Sequence, residues 1–430
     1  MDVRPQSNRP ATGATAGPAP APPDRASPDS HKIDEGRLLA TLVAAMFLVV
    51  TNINMMAPLL VDFAADFHTS VGSMGQLAAA AAIPWALLAP FMGALSDRLG
   101  RRPLLAMGVA ILGVTTLLSA QAWSYPSLLV LRVLGGIGGA STGPNIMSSA
   151  ADHFPANRRG RALGMVLAAV SLATVVGVPL VAMMAAYAGW RWAFAGLGCL
   201  LLGLGVIVYV TFPRAKPPAS RGGYLSGFGV ALAEPSTRLL LLANGLERAA
   251  FTTVSTYTAA FLMQSYSLRL EQIAPVLSAT AAGTLLGSTL GGRLADNTSR
   301  PVLVFAGFQA LAAATVLPMF ATTPGVILTA LLAATFGLAN SMARPAWMWL
   351  ISQVPEERRG ATMGFTATTN QVGLMVGASL GGLLVTMGGY SGLGLLAAFA
   401  CLAAATICSL AVRKMPKVKA RSTTPSPLQG

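Results

Sequence analysis

Charge is scarce in this chain of 430 residues. Asp, Glu, Lys and Arg together make up only 10% of it, against about 25% in an ordinary soluble domain. A soluble fold is thereby excluded, because too few polar groups are present to cover its surface. Cysteine is almost missing as well. Cys199, Cys401 and Cys408 fall in apolar stretches and exclude a disulfide scaffold. His31, His68 and His153 fall in a tail and in loops, and no zinc or haem spacing joins them to the cysteines, so no metal site, cofactor or catalytic constellation is expected. No Gly-Lys-Ser/Thr phosphate loop occurs, which argues against ATP as an energy source. The glycines from Gly135 to Gly139 look superficially like a dinucleotide fingerprint, but no strand precedes them and close helix packing accounts for them.

What the chain does have is apolar length: 54% of its residues are hydrophobic. A membrane-spanning helix needs roughly 20 predominantly apolar residues. Twelve such spans are expected at 38–60, 74–95, 103–122, 126–150, 161–184, 191–212, 238–263, 272–292, 301–320, 325–350, 361–386 and 391–412. Backbone groups in lipid must be satisfied within each segment, so the spans are helices and the chain is an all-α membrane protein. Residues 1–36 hold seven prolines and no apolar run, and read as a disordered tail rather than a signal peptide.

The basic residues orient these spans. Placing both termini in the cytoplasm puts 24 of the 29 Lys and Arg on that side, leaves Arg191 and Arg269 outside, and keeps Arg132, Arg248 and Arg344 within spans. This is the positive-inside bias of a multi-pass protein of the plasma (inner) membrane. It accounts for most of the net charge of +14, so nucleic acid is not an expected partner.

The chain also repeats itself. The loop Phe154-Pro-Ala-Asn-Arg-Arg-Gly-Arg-Ala-Leu-Gly-Met165 returns as Val354-Pro-Glu-Glu-Arg-Arg-Gly-Ala-Thr-Met-Gly-Phe365. Gly93-Ala-Leu-Ser-Asp97-Arg-Leu-Gly-Arg101-Arg-Pro103 has a degenerate counterpart in Gly292-Arg-Leu-Ala-Asp296-Asn-Thr-Ser-Arg300-Pro301. Both pairs are offset by six spans, as two parallel repeats require. The expected organisation is an N-terminal six-helix bundle at 37–212, a cytoplasmic linker at 213–237, a C-terminal six-helix bundle at 238–412 and a basic cytoplasmic tail at 413–430.

On these residues the sequence resembles the major facilitator superfamily, and within it the twelve-span drug:proton antiporter branch that includes the arabinose-efflux-like permeases. The resemblance covers about 38–412. Its most specific part is Gly93 to Pro103, similar to the superfamily's signature loop. Arg132 with the glycines after it resembles the branch's Arg motif. Gly177-Val-Pro179 followed by Gly189-Trp-Arg-Trp-Ala-Phe194 is similar to the antiporter motif, with Val178 between Gly and Pro and Leu180-Val181 where small residues are usual. The resemblance implies two six-helix bundles around a central cavity (the major facilitator fold), alternating access, and a helix-bending role for Gly177 and Pro179.

Physical reasons for some of these motifs are visible in the residues. Asp97 ends its span beside Arg98, Gly100, Arg101 and Arg102, so it can engage a guanidinium and a helix N-terminus together. Such a cluster, echoed by Asp296 and Arg300, reads either as a conformational latch or as a topology signal alone.

Charges inside spans cost about 2.5–3.5 kcal/mol each on insertion scales and tend to mark pathways. Arg132 lies roughly 10 Å inward from the outer end of its helix, by the rise per residue. Asn52 and Asn54 have a similar depth in the first span, so Arg132 is expected to face the cavity and bond to that span, or alternatively to snorkel outward. The resemblance assigns Arg132 to proton coupling. Glu247 and Arg248 match Arg344 in depth at roughly 14 Å from the cytoplasmic side. Glu247 is the one carboxylate inside any span, hence either the group that takes up and releases a proton, with Arg248 and Arg344 as alternating partners, or a static ion pair.

Asn145, Asn244, Tyr257, Gln264, Asn340, Asn370 and Gln371 read as cavity-lining groups or as helix-packing hydrogen bonds. Trp85, Trp347 and Trp349 with Met55, Met56, Met183 and Met184 suit an adaptable apolar binding surface or a lipid-facing one. Trp190 and Trp192 read as an interfacial anchor. The expected function is a monomeric, proton-coupled exporter of small amphipathic compounds. Its partners are the substrate, protons and the lipid bilayer. Proton-coupled import of a small metabolite and a membrane sensor that transports nothing are the alternatives.

Overall fold

The computed structural model describes residues 35–212, 233–354 and 356–414. Most of the N-terminal tail, most of the linker and all but the first residues of the C-terminal tail therefore lie outside the described residues. So do the side chains of Asp97, Arg358 and Arg359. Among the described residues the chain is entirely helical. In chain order the helices are α1 (Glu35–Asn54), α2 (Leu60–Asp66), α3 (Val71–Leu99), α4 (Arg101–Ser119), α5 (Tyr125–His153), α6 (Ala156–Leu172), α7 (Val178–Ala188) and α8 (Trp190–Thr211). They continue as α9 (Pro235–Tyr266), α10 (Leu270–Asn297), α11 (Pro301–Ala321), α12 (Val326–Ser352), α13 (Glu356–Gly388) and α14 (Ser391–Lys414). With α6 and α7 forming one interrupted span and α2 a short cap, twelve helices among the described residues are of spanning length.

Ten of these spans are apolar enough to cross a membrane by composition. The two that fall short are α5 and α9, the helices that carry Arg132, Glu247 and Arg248. Their low hydropathy follows from a shared cause: polar groups that face protein rather than lipid. Large apolar side chains such as Leu200, Val206, Val210, Leu395 and Phe399 are exposed on the molecule's flank, where hydrocarbon replaces water as solvent.

Helix ends follow local chemistry. Ser70 caps α3 by accepting from the Ser73 amide at 3.0 Å, and Ser124 with Ser127 forms a capping box at α5. Gly189 has φ of 88°, a left-handed turn that joins α7 to α8 with no loop. The first span is shorter than its apolar run. Pro58 has no N–H to continue the ladder, so α1 ends at Asn54, and a 3-10 turn over Ala57–Leu59 leads into α2.

Packing repeats between the halves. The pairings α3 with α5, α4 with α8 and α4 with α5 recur six spans later as α10 with α12, α11 with α14 and α11 with α12. The α10–α12 contact is backbone to backbone. A Cβ added to Gly283, Gly287 or Gly291 would lie 2.4, 2.3 or 2.7 Å from main-chain atoms of Ala334, Leu338 or Met342. Glycines four apart on one face permit this approach, which replaces hydrophobic driving force inside a bilayer.

The two halves meet along α3 and α13, and the polar contacts described between them lie toward the end of the molecule away from residues 35 and 414, here called outer. The Ser70 and Thr386 hydroxyls lie 3.4 Å apart, and Gln76 Nε2 donates to the Ser379 carbonyl at 3.3 Å. A third contact depends on Pro179. Its missing N–H leaves the Val175 carbonyl without its usual helical partner, the backbone widens to a π turn over Ala173–Gly177, and Ser278 Oγ of α10 donates to that carbonyl at 3.3 Å. At Gly177 and Pro179, where a bend is expected, the structure has a π turn whose freed carbonyl contacts the other half.

Candidate functional site

A dense cluster of polar side chains in the bundle interior lies between α9, α12 and α13. The Glu247 side chain is 2% exposed, and both its oxygens are taken by arginines. Arg248 reaches back along its own helix, donating Nε to Oε2 at 2.6 Å and Nη2 to Oε1. Arg344 of α12 donates Nη1 to Oε2 at 3.1 Å. The depth match read from the sequence thus brings these three residues together.

Three asparagines complete the cluster. Asn340 Oδ1 accepts from Arg248 Nη2 at 3.3 Å. Asn244 Oδ1 and Asn370 Oδ1 accept from Arg344 at 3.4 and 3.2 Å. Asn244 Nδ2 in turn donates to Asn370 Oδ1 at 3.0 Å and to Thr369 Oγ1 at 2.8 Å, which ties α9 to α13. Arg344 therefore bonds to a carboxylate and to neutral acceptors, while Arg248 also lies over the Phe251 ring at 4.8 Å. With two guanidinium groups and one carboxylate, the cluster carries one excess positive charge.

Arg132 is arranged differently. It is 5% exposed and donates Nη2 to Ser119 Oγ of α4 at 3.3 Å, with its guanidinium 5.4 Å from the Phe194 ring of α8. Its Nε has no partner among the described residues. The hydrogen bond expected with the first span is not formed. Because α1 ends at Asn54, that residue is exposed and turns back to the Val50 carbonyl at 3.1 Å, while Asn52 donates to Thr116 Oγ1 at 2.6 Å. Nor does Arg132 snorkel, since it is buried against Phe194, which itself packs edge-to-face with Phe63 and Trp190.

Trp190 is itself buried and not at an interface. Its Nε1 and the Arg191 guanidinium both donate to Asp66 Oδ2, at 2.7 and 2.6 Å, so α2 is fastened to the start of α8. Trp192, by contrast, is 68% exposed. Sequence reasoning missed Asp66, Ser119, Thr116 and Thr369, since a Ser or Thr in a span gives no signal without a known helix rotation.

The remaining candidates divide by what their polar atoms do. Asn145 accepts from Ser96 Oγ and donates to the Ser141 carbonyl, both at 2.5 Å. Tyr257 is fully buried and donates to the Ala378 carbonyl at 2.6 Å, and Trp347 Nε1 donates to the Leu240 carbonyl at 3.0 Å. These three are spent on helix packing. Trp85 is half-buried against Gly139, Gln264 accepts from Tyr390 on the outer side, and Gln371 is buried. At the signature loop Arg101 pairs with Asp152 at the end of α5, at 2.5 Å, and Arg102 lies over the Tyr209 ring at 4.6 Å. Asp296 and Arg300 are both exposed, and no ion pair among the described residues joins them.

A buried ionic cluster on three helices of one repeat, a buried arginine in the other, and a seam between repeats are the parts of a transporter. The family model described as Major Facilitator Superfamily matches residues 42–348 and 240–429. The chain belongs to that superfamily. Among its relatives, a chloramphenicol resistance protein of Streptomyces lividans is 32% identical over 354 residues, which is 81% of this chain and 87% of that protein. The inner membrane transport protein YdhP of Escherichia coli K12 is 26% identical across 88% of this chain and 97% of its own length. The quinolone resistance protein NorA of Staphylococcus aureus MSSA476 is 24% identical across 79% and 87%. A bacterial homolog of the human lysosomal transporter Spinster, solved inward-facing and occupied, shares the fold with a TM-score of 0.74 at 18% identity, covering 89% of this chain and 97% of that one. This major facilitator protein is accordingly a multi-pass membrane transporter of small molecules.

Proposed function

We propose that this transporter is a monomeric, proton-coupled exporter of small amphipathic compounds that works by alternating access, in the inner membrane with both termini cytoplasmic. Resistance proteins among its relatives support export. The observation that carries the coupling is Glu247, a buried carboxylate held by arginines from two helices.

Deprotonated, Glu247 fixes Arg344 in place against α9. A proton on Glu247 removes that charge and releases Arg344 to Asn244 and Asn370, which already accept from it. Proton occupancy is thereby translated into a change of contact between α9, α12 and α13. The latch around Asp97, Arg101 and Arg102, with Gly93, Arg98 and Gly100, would act at the opposite end from the seam, where Arg101 already braces α4 against α5. The halves at 37–212 and 238–412 would then rock about the seam.

The test is a proteoliposome with an internal pH dye and an inward proton gradient. Addition of chloramphenicol or a quinolone should accelerate collapse of the gradient in proportion to compound transported. Transport of labelled compound at full rate with no accompanying proton movement would contradict the proposal.

A further inference from the structure

The ionic cluster points to the chemistry of the substrate as well as to the proton. Glu247 is 2% exposed and both its oxygens are already bonded to guanidinium groups, so it offers a cationic ligand no open carboxylate. The cluster carries one excess positive charge, and Arg132 in the other half adds another with no carboxylate beside it. In a medium of low dielectric such charges repel a cation strongly.

Arg344 is different from its neighbours. Its side chain is 29% exposed, against 16% for Arg248 and 2% for Glu247. Among the described residues it makes three hydrogen bonds, all through Nη1 and Nη2. A guanidinium has more N–H donors than these three bonds use, in a rigid fork suited to planar acceptors. Its Nε edge remains available, while Glu247, Asn244 and Asn370 hold the other edge in position.

Resting on the transport reading above, we propose that Arg344 is the specificity-determining residue of this transporter, and that its available edge selects compounds presenting a planar hydrogen-bond acceptor, a carbonyl, nitro or carboxylate group, over lipophilic cations. Glu247 acts here as a positioning residue. Its charge preorganises the Arg344 fork, so a proton on Glu247 loosens the fork and lowers affinity for a neutral planar acceptor. A neutral substrate and the proton then oppose one another, which is the linkage that exchange of one for the other requires.

The experiment is equilibrium binding, without a gradient, to the purified full-length protein. The probes share one apolar body: biphenyl-4-carboxamide, biphenyl-4-carboxylate and biphenyl-4-methylammonium. The expected result is carboxamide and carboxylate binding at least about tenfold tighter than the ammonium, the size of a hydrogen bond to a charged donor. Arg344→Gln should abolish that preference. Arg344→Lys, which keeps the charge and loses the fork, should retain selection for the carboxylate and lose it for the carboxamide. Glu247→Gln should weaken carboxamide binding while keeping the order of the three probes. Equal or tighter binding of the ammonium by the wild type would overturn the proposal, and so would a preference unchanged in either Arg344 variant. Binding preference and proton flux separate the two readings. The preference without compound-driven flux would remove the coupling alone, and flux driven best by the ammonium would remove the specificity alone.

Discussion

A guanidinium placed as deep as Arg132 has few partners to choose from, and in this protein they are a serine and an aromatic face. The Ser119 hydroxyl, itself donating to the Thr115 carbonyl at 2.6 Å, accepts from Arg132 at 3.3 Å, and Phe194 offers the negative face of its ring. Removal of that acceptor leaves a buried charge with no hydrogen-bond partner, a loss of about 1–3 kcal/mol. Ser119→Ala is therefore expected to lower the thermal unfolding midpoint of the protein in detergent, and an unchanged midpoint would show that the hydroxyl does not hold Arg132. Glu247 solves the same problem in the opposite way, with two charged partners. Its depth relative to Arg344 could be read by counting along the two spans. The orientation of Arg132 could not, because a span count measures height and says nothing of rotation about the helix axis.

At the scale of elements, backbone proximity takes the place of hydrophobic attraction. The α10–α12 pair is one instance, since no side chain fits between Gly287 and the Leu338 main chain. Gly287→Leu should force the helices apart and cost about 1–3 kcal/mol or more by overpacking. Gly292→Ala on the same helix meets nothing within 4 Å and serves as the control. A midpoint that falls for the first and holds for the second supports the close α10–α12 contact, and equal midpoints would count against it.

The positions of these elements were legible in the sequence for a physical reason. Lipid demands long apolar runs and charge marks their ends, so α3, α5, α8 and α10 to α14 begin and end within a few residues of expectation. The exceptions are local backbone events. Pro58 cut α1 short, which removed the basis for pairing Asn54 with Arg132, and Pro179 produced a π turn that apolar length could not reveal. Trp190 looked like an interfacial residue because Asp66, its partner, lies far away in the chain.

At the scale of the whole molecule, the polar contacts described between the halves lie toward the outer end, and the Glu247 cluster lies wholly within the second half. The halves differ in how they use charge: one holds a lone buried arginine, the other a carboxylate between two. The arrangement supports the proposed proton coupling only if the second half's carboxylate changes its bonds during the cycle. Gln at that position keeps the shape but offers one acceptor oxygen in place of two, and it can never exchange a proton. The most direct measurement is compound-driven proton flux in proteoliposomes, comparing wild type with Glu247→Gln at saturating compound in preparations matched for thermal midpoint. The account predicts loss of the compound-dependent flux in the variant, and flux at the wild-type rate from folded Glu247→Gln protein would contradict it.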